Sequence, residues 1–259
     1  MKKAWQFINN GEKKMNTESL PKAVYIQPTT ACNGYCSICP HDKMFKKFGR
    51  QTMPTELFEK IMADLKACGY TGIIGIFLQC EPLLDDRIFD LIELAKFETK
   101  ASVEISTNGR LIKKHFTWLV NSSLDRIYFN YGAVKFGRAP KSVIWDVNQL
   151  AKYKKVIINY PRLDNEDISG LFPGLRVDTF WASNRGGLVR TVKHEKKTRF
   201  TDCLAQAQQL NIAANGDVIL CCNDFTRINR FGNAAKGNVI DLWREIPRHF
   251  DYAICRRCL

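Results

Sequence analysis

Ala23-Val24-Tyr25-Ile26-Gln27-Pro28-Thr29-Thr30-Ala31-Cys32-Asn33-Gly34-Tyr35-Cys36-Ser37-Ile38-Cys39 joins a short β-rich run to a loop with three cysteines in C-x3-C-x2-C spacing. Three thiolates from one short loop, placed directly after a strand, can hold three irons of a [4Fe–4S] cube and leave the fourth iron open. His41, two residues on, offers a different donor set, in which three cysteines and one histidine close a zinc site. Spacing alone leaves both readings open.

Working outward, the strand at residues 23–26 starts a repeating alternation. Leu57, Phe58, Ile61, Met62 and Leu65 recur at helical spacing, which predicts a helix over 55–67 with Thr52 or Thr55 as N-cap and Pro54 near its start. A continuous apolar strand follows at 72–78, a helix at 88–97, and a strand at 103–105 that ends on the turn signal Asn108-Gly109. Further pairs are expected as helix 111–120 with strand 126–129 and helix 143–153 with strand 156–158, and a last strand at 175–181. Apolar strands separated by helices of this kind indicate parallel βαβ units. They are too few for a closed eight-fold barrel, so an open partial barrel or a doubly wound sheet both fit. In either, chemistry gathers at the C-terminal ends of the strands, where the Cys32 loop lies. After Gly186-Gly187 the alternation stops, which places a boundary near residue 187. The chain then divides into an N-terminal extension (1–20), a βα domain (21–187) and a small C-terminal module (188–259).

Ten cysteines in 259 residues are many, and they cluster at 32–39 and at 203–258. Secreted disulfide scaffolds are usually much shorter, and no signal segment precedes an apolar core at the N-terminus, so a cytoplasmic chain with metal-binding thiols is expected. No run of about 18 apolar residues is present, so no membrane partner is expected. The net charge of +13 invites a nucleic-acid reading, but Lys and Arg are spread out, with short concentrations only at 43–50 and 193–199. Neither is interleaved with aromatics in a recognised nucleic-acid motif, which favours solvated basic surface, or attraction to anionic cofactor and substrate groups, over an RNA or DNA face.

The loop resembles the signature of the radical S-adenosylmethionine (radical SAM) superfamily, and two later segments agree in order and strand position. Gln79-Cys80-Glu81-Pro82 resembles the superfamily's Gly-Gly-Glu-Pro segment, and Ser106-Thr107-Asn108-Gly109 its Ser-Thr-Asn-Gly segment. The resemblance implies a partial (β/α)5–6 TIM-like barrel of α/β class with a [4Fe–4S] cluster on Cys32, Cys36 and Cys39. It further implies that S-adenosylmethionine is bound by Ile38, Gln79, Cys80, Glu81, Pro82, Ser106 and Asn108, and that its cleavage makes a 5′-deoxyadenosyl radical. Cys80 departs from the pattern by replacing a glycine. Two readings stay open: a side chain tolerated because main-chain carbonyls bind the cofactor's amino group, or, from its place beside the cofactor, a hydrogen donor.

Cys203, Cys221 and the pair Cys255-Arg256-Arg257-Cys258, with Gly216 five residues before Cys221, resemble the SPASM/twitch modules appended to radical enzymes. That likeness implies one auxiliary [4Fe–4S] cluster on Cys203, Cys221, Cys255 and Cys258. The spacing from Gly216 favours Cys221, and the neighbouring Cys222 could substitute. A four-cysteine zinc knuckle is the alternative. Cys68, on a helix face near Leu65, reads as a packed thiol. Ser183-Asn184-Arg185-Gly186-Gly187 and Asp224-Phe225 resemble the radical dehydrogenases that oxidise 2-deoxy-scyllo-inosamine in aminoglycoside biosynthesis, which implies that Arg185 anchors substrate near the cofactor; a guanidinium that caps strand ends or pairs with a surface acid is the other reading.

The expected function is therefore dehydrogenation of a small polar alcohol or aminocyclitol, with the auxiliary cluster accepting an electron and flavodoxin or ferredoxin as electron donor. Three alternatives stand beside it: a SPASM-type peptide-modifying enzyme, a tRNA or nucleotide modifier, and a non-enzymatic zinc-binding protein. Against the peptide reading, no segment resembles a leader-binding domain and the region before residue 20 is short. His41, His115, His194 and His249 are isolated in sequence and read as surface or structural.

Overall fold

Val24 and Ile26 on one side of strand β1 (Ala23–Ile26) alternate with Tyr25 on the other, and this period of two carries through the sheet. The computed structural model describes residues 20–192, 203, 208–247 and 252–258. Five more parallel strands follow β1: β2 (Ile73–Gly75), β3 (Ser102–Thr107), β4 (Arg126–Asn130), β5 (Val156–Arg162) and β6 (Arg176–Trp181). Each pairs with its predecessor, so β1 to β6 lie side by side in chain order. On the free edge of β1 the C-terminal strand β7 (Gln209–Ile212) adds in parallel, with Val24 opposite Leu210. The sheet then closes with an antiparallel meander through β8 (Asp217–Ile219) and β9 (Arg230–Asn233).

The helices decide between the two expected architectures. In α2 (Thr55–Ala67), Leu57, Phe58, Ile61, Met62 and Leu65 are buried, and in α3 (Ile88–Glu98) Ile88, Leu91, Ile92 and Ala95 are. Helix α1 (His41–Phe48) follows the cysteine loop. The later helices are α4 (Phe116–Asn121), α5 (Gly132–Lys135), α6 (Val143–Leu150), α7 (Val239–Glu245) and α8 (Ala253–Arg257). Helix α2 packs on both α3 and α7, and α4 packs on α6, so these helices form one layer on one face. Val24, Ile74, Val103, Ile127 and Ile158 are fully buried beneath that layer. The opposite face carries a polar row, in which the register sets Tyr25, Gly75, Glu104 and Arg126 side by side. A doubly wound sheet needs helices on both faces. The protein is instead an open partial barrel with a polar concave side, where Glu104 is 2% exposed and bonds to Arg126 at 3.0 Å.

Local differences from the sequence reading have physical causes. Neither Thr52 nor Thr55 caps α2; Pro54 holds the N-cap position, and the Thr55 hydroxyl accepts from Arg87 instead. The expected helix at 111–120 begins only at Phe116, because the chain leaves β3 through tight turns after Gly109. Strand β5 runs on through Pro161, which pairs only with β6 because the register with β4 ends at Asn159, so its missing N–H breaks no β4 ladder bond. Cys68 caps the end of α2, with its thiol on the Leu65 carbonyl. Residues 1–19, His194 and His249 lie outside the described residues. Among the described residues no helix is long and apolar enough to cross a membrane.

Gly109 shows how tightly strand ends and helices are fitted. Its φ of +81° belongs to the left-handed region, and a Cβ there would sit 2.4 Å from Val143 and 2.6 Å from Phe129. Gly109→Ala is therefore expected to cost about 2–4 kcal/mol through strain and overpacking combined. Chemical denaturation of the anaerobically purified protein checks this; a loss below about 0.5 kcal/mol would mean that the turn yields freely.

Candidate active site

The cysteine loop is held from three sides. Glu81 N–H donates to the Ala31 carbonyl at 2.9 Å, and Ser37 N–H donates to that of Phe136 at 3.0 Å. The Thr30 hydroxyl donates to the Gly49 carbonyl and accepts from Gln51 N–H, both at 2.8 Å. Within the loop, Cys39 N–H donates to the Cys36 carbonyl, and Gly34 N–H donates to Cys32 Sγ at 3.3 Å. A Cβ on Gly137 would lie 2.4 Å from Cys36 Sγ and 2.7 Å from the Ala133 carbonyl, so this position needs glycine for the backbone to pass the thiol.

One buried carboxylate joins the two strand-end segments behind the loop. Glu81, 1% exposed, accepts from Leu83 N–H, from the Thr107 hydroxyl at 2.8 Å and from Asn108 N–H at 2.7 Å. Asn108 then passes the constraint on: its Nδ2 donates to Asn33 Oδ1 in the cysteine loop at 2.7 Å. Burial pushes the Glu81 carboxyl up to about 7 against the pull of those three donors.

These segments enclose a cavity of about 860 Å³, mouth included. It is lined by Cys32, Cys36, Ile38 and Cys39 from the loop, by Gln79, Cys80 and Glu81 after β2, by Ser106 and Asn108 at β3, and by Arg185. Pro82 does not line it; it opens a buried 3-10 turn behind Glu81. Ile38 packs with Ala182, Val189 and Val192. Gln79 donates through Nε2 to the Cys222 carbonyl, and its buried Oε1 has no partner among the described residues. Asn130, at the end of β4, also lines the cavity; the rule that function gathers at strand ends could have flagged it. Gly137 has no spacing signal.

From the C-terminal side it is Cys222, not Cys221, that reaches this cavity. The Cys222 thiol feels Arg185, Cys203 and Cys258, whereas Cys221, 8% exposed, feels Cys222, Asp224 and Cys258. Helix α8 carries Cys255, and Cys258 N–H closes a turn on its carbonyl at 3.2 Å. Arg185 holds a left-handed φ of 52° and donates from Nη1 to Asn223 Oδ1 at 2.8 Å.

Burial raises every loop thiol: Cys32 is pushed up to about 11, Cys36 up to about 12, and Cys39 upward against the pull of Arg185. Cys80 is pushed up as well, chiefly by burial, and so stays a neutral thiol. Without metal these thiols hold their protons, and ligation must displace them. His41 is committed elsewhere, with Nε2 donating to the Thr30 carbonyl at 2.8 Å. A single zinc would draw thiolates to about 3.8 Å from one another at Zn–S distances near 2.3 Å. Among the described residues no three Cys, His, Asp or Glu side chains are gathered to hold one ion. A cube gives each thiolate its own iron, and the three loop thiols, all lining the one cavity, are the donor set such a cluster takes when one iron stays open.

Residues 26–134 match the model of the radical SAM superfamily, and residues 203–259 match the SPASM iron–sulfur cluster-binding domain. The first match takes in the cysteine loop and both strand-end segments, and the second takes in Cys203, Cys221, Cys222, Cys255 and Cys258. S-adenosylmethionine and iron–sulfur clusters are therefore its cofactors. The S-adenosyl-L-methionine-dependent 2-deoxy-scyllo-inosamine dehydrogenase of Niallia circulans is 22% identical over 230 residues, covering 88% of this chain and 84% of that one. In fold the chain is similar to BtrN in complex with AdoMet and 2-DOIA, with TM-score 0.69, 16% identity and 93% of both chains covered. It is also similar to SuiB of Streptococcus suis bound to precursor peptide SuiA, with TM-score 0.71, 18% identity, and 88% of this chain and 66% of that one covered.

The raised Glu81 carboxyl makes stability depend on pH. Its folded value of about 7 lies above the ordinary 4.5, so the folded state binds this proton more tightly. The contribution is full below about pH 4.5, declines as pH rises, and is gone above about 7, a change on the order of 3 kcal/mol. Denaturation at pH 5 and pH 8 should show this decline in the native protein and lose it in Glu81→Gln. Equal slopes in the two proteins would assign the pH dependence to other groups.

Proposed function

We propose that this radical SAM enzyme dehydrogenates a small polar alcohol or aminocyclitol, using an auxiliary cluster as electron acceptor. The observation that carries the reading is one cavity lined jointly by the three loop thiols, the two strand-end segments, Arg185 and Cys222. When bound, the loop cluster and S-adenosylmethionine supply the 5′-deoxyadenosyl radical that takes a hydrogen atom from substrate.

Residues 21–187 serve as the radical domain and 188–259 as the auxiliary module, with 1–20 an extension. Cys32, Cys36 and Cys39 hold the first cluster. Gln79 and Cys80 line the methionine end of the cofactor site. The unpaired Gln79 Oε1 is an acceptor suited to an ammonium group, and Ile38 gives an apolar surface for adenine. Ser106 and Asn108 border the ribose and carboxylate, while Glu81 and Pro82 fix the strand ends from behind. Cys203, Cys255 and Cys258, with Cys221 or its neighbour Cys222, hold the auxiliary cluster. Arg185 anchors a substrate hydroxyl, and Cys80 presents a neutral S–H to the cavity. The relative named for 2-deoxy-scyllo-inosamine supports a substrate of that chemical class.

Outside the cavity, Tyr35, Phe45 and Lys46 line a second groove that reaches the same three thiols. Tyr35 is 79% exposed, and Lys43, Lys46 and Lys47 are exposed on α1. This basic rim suits an acidic one-electron carrier such as flavodoxin or ferredoxin in the cytoplasm. Lys46→Glu should slow flavodoxin-driven cofactor cleavage about tenfold at low salt while leaving dithionite-driven cleavage unchanged. Equal rates with flavodoxin would move the electron entry point elsewhere.

A peptide substrate is the second reading, favoured by the fold shared with SuiB. The two separate on one assay of dithionite-reduced enzyme. Aminocyclitols, 2-deoxy-scyllo-inosamine among them, should yield a ketone in step with 5′-deoxyadenosine, with deuterium passing from the carbinol carbon to the nucleoside. Cys32→Ala should abolish cofactor cleavage, and Cys255→Ala should spare cleavage yet cut ketone formation at least a hundredfold, a loss of about 2.7 kcal/mol. Ketone formation that survives Cys255→Ala would defeat the electron-acceptor role.

A further inference from the structure

Between the cavity and the C-terminal thiols lies one amide. Asn223 Oδ1 accepts from Arg185 Nη1 at 2.8 Å, while its Nδ2 donates to Cys258 Sγ at 3.4 Å. The two ends fix the amide orientation, since a guanidinium can only donate and the sulfur here is the acceptor. Arg185 is held at this spot by its left-handed backbone, by Ser183 Oγ accepting from its own N–H at 3.1 Å, and by neighbouring Asn184, whose Nδ2 donates to the Arg257 carbonyl at 2.7 Å. Its charge is felt by Cys36, Cys39 and Cys222, thiols from both cysteine groups.

We propose that Asn223 is a positioning residue that couples the substrate-facing guanidinium of Arg185 to the redox potential of the auxiliary cluster through Cys258. The inference rests on the proposed role of the C-terminal thiols as cluster ligands. An N–H donated to a ligating sulfur withdraws electron density from it and makes the cluster easier to reduce. That is the direction an electron acceptor requires. The positive charge of Arg185 on the amide oxygen polarises the amide and strengthens the N–H donor at its other end. A substrate oxygen bound at Arg185 and the cluster that takes the electron are thereby linked by two hydrogen bonds.

Asn223→Asp keeps an acceptor for Arg185 but removes the donor to sulfur and adds negative charge. Asn223→Ala removes both contacts, and Arg185→Gln leaves the donor but removes the polarising charge. Anaerobic titrations followed by electron paramagnetic resonance, with iron counted per chain, read the two clusters separately. The auxiliary midpoint should fall in Asn223→Asp by at least a tenfold change in the electron-transfer equilibrium, about 59 mV for one electron. It should fall less in Asn223→Ala and least in Arg185→Gln, with the Cys32-loop midpoint unchanged by either Asn223 substitution. Ketone formation should slow at least tenfold in Asn223→Asp while cofactor cleavage persists. An auxiliary midpoint equal to that of the native protein in both Asn223 variants, at full iron loading, overturns the coupling. So does loss of iron from both variants, which would make Asn223 a purely structural support. A native protein with a single cluster would instead remove the functional reading on which the inference rests.

Discussion

A buried carboxylate is the constraint on which the site depends. Glu81 sits where β2 has ended and β3 is ending, and its oxygens take donors from both segments and from its own turn. A charged or half-charged group so deep in the protein is costly unless it is well bonded, and here three donors offset part of the desolvation. The return is positional. Asn108 is fixed through its backbone by Glu81 and through its side chain to Asn33, while Glu81 N–H holds Ala31. The cysteine loop is thus referenced to two strand ends rather than left to wander as a surface loop.

A second hub fastens the C-terminal part to the same frame. Arg227, 2% exposed and with a left-handed φ of 49°, donates to Gln27, Gln51 and Asn215 and lies 4.3 Å from the Phe48 ring centroid. Gln27 in turn donates to the Gln79 carbonyl. Lys43 and Lys47 of α1 add bonds to the carbonyls of Leu188 and Thr226. With β7 paired to β1, the sheet itself runs from one part into the other. The second set of thiols is therefore placed by the strand that carries the first.

Much of this was legible in the sequence because period and punctuation are local. The buried set Leu57, Phe58, Ile61, Met62 and Leu65 follows from spacing, and the C-x3-C-x2-C loop announces its own chemistry. The single-sided helix layer was not legible, since apolar strands fit one-sided and two-sided burial equally until helix contacts are known. Caps failed where tertiary bonds outbid local ones, as when Arg87 takes the Thr55 hydroxyl. Spacing from Gly216 favours Cys221 as a cluster ligand, while it is side-chain direction after β8, which spacing does not carry, that turns Cys222 toward the cavity. Asn223 gives no signal at all before Arg185 and Cys258 are brought to its two ends from 38 and 35 residues away in the chain.

The electrostatics explain why so polar a reaction centre is tolerated in a buried place. Desolvation drives the thiols toward the protonated state, so before metal binds they carry little negative charge to repel one another. Assembly of the clusters reverses this, because each ligand must give up its proton to metal. The thiolates then formed stand around Arg110 and Arg185, the charges that already oppose the desolvation of Cys36. A planar guanidinium with its donors in a fixed fork suits this position better than the single flexible ammonium of a lysine. Arg185 therefore serves both states: it eases formation of the thiolates, and once they are neutralised by metal it leaves a fixed positive charge facing the cavity.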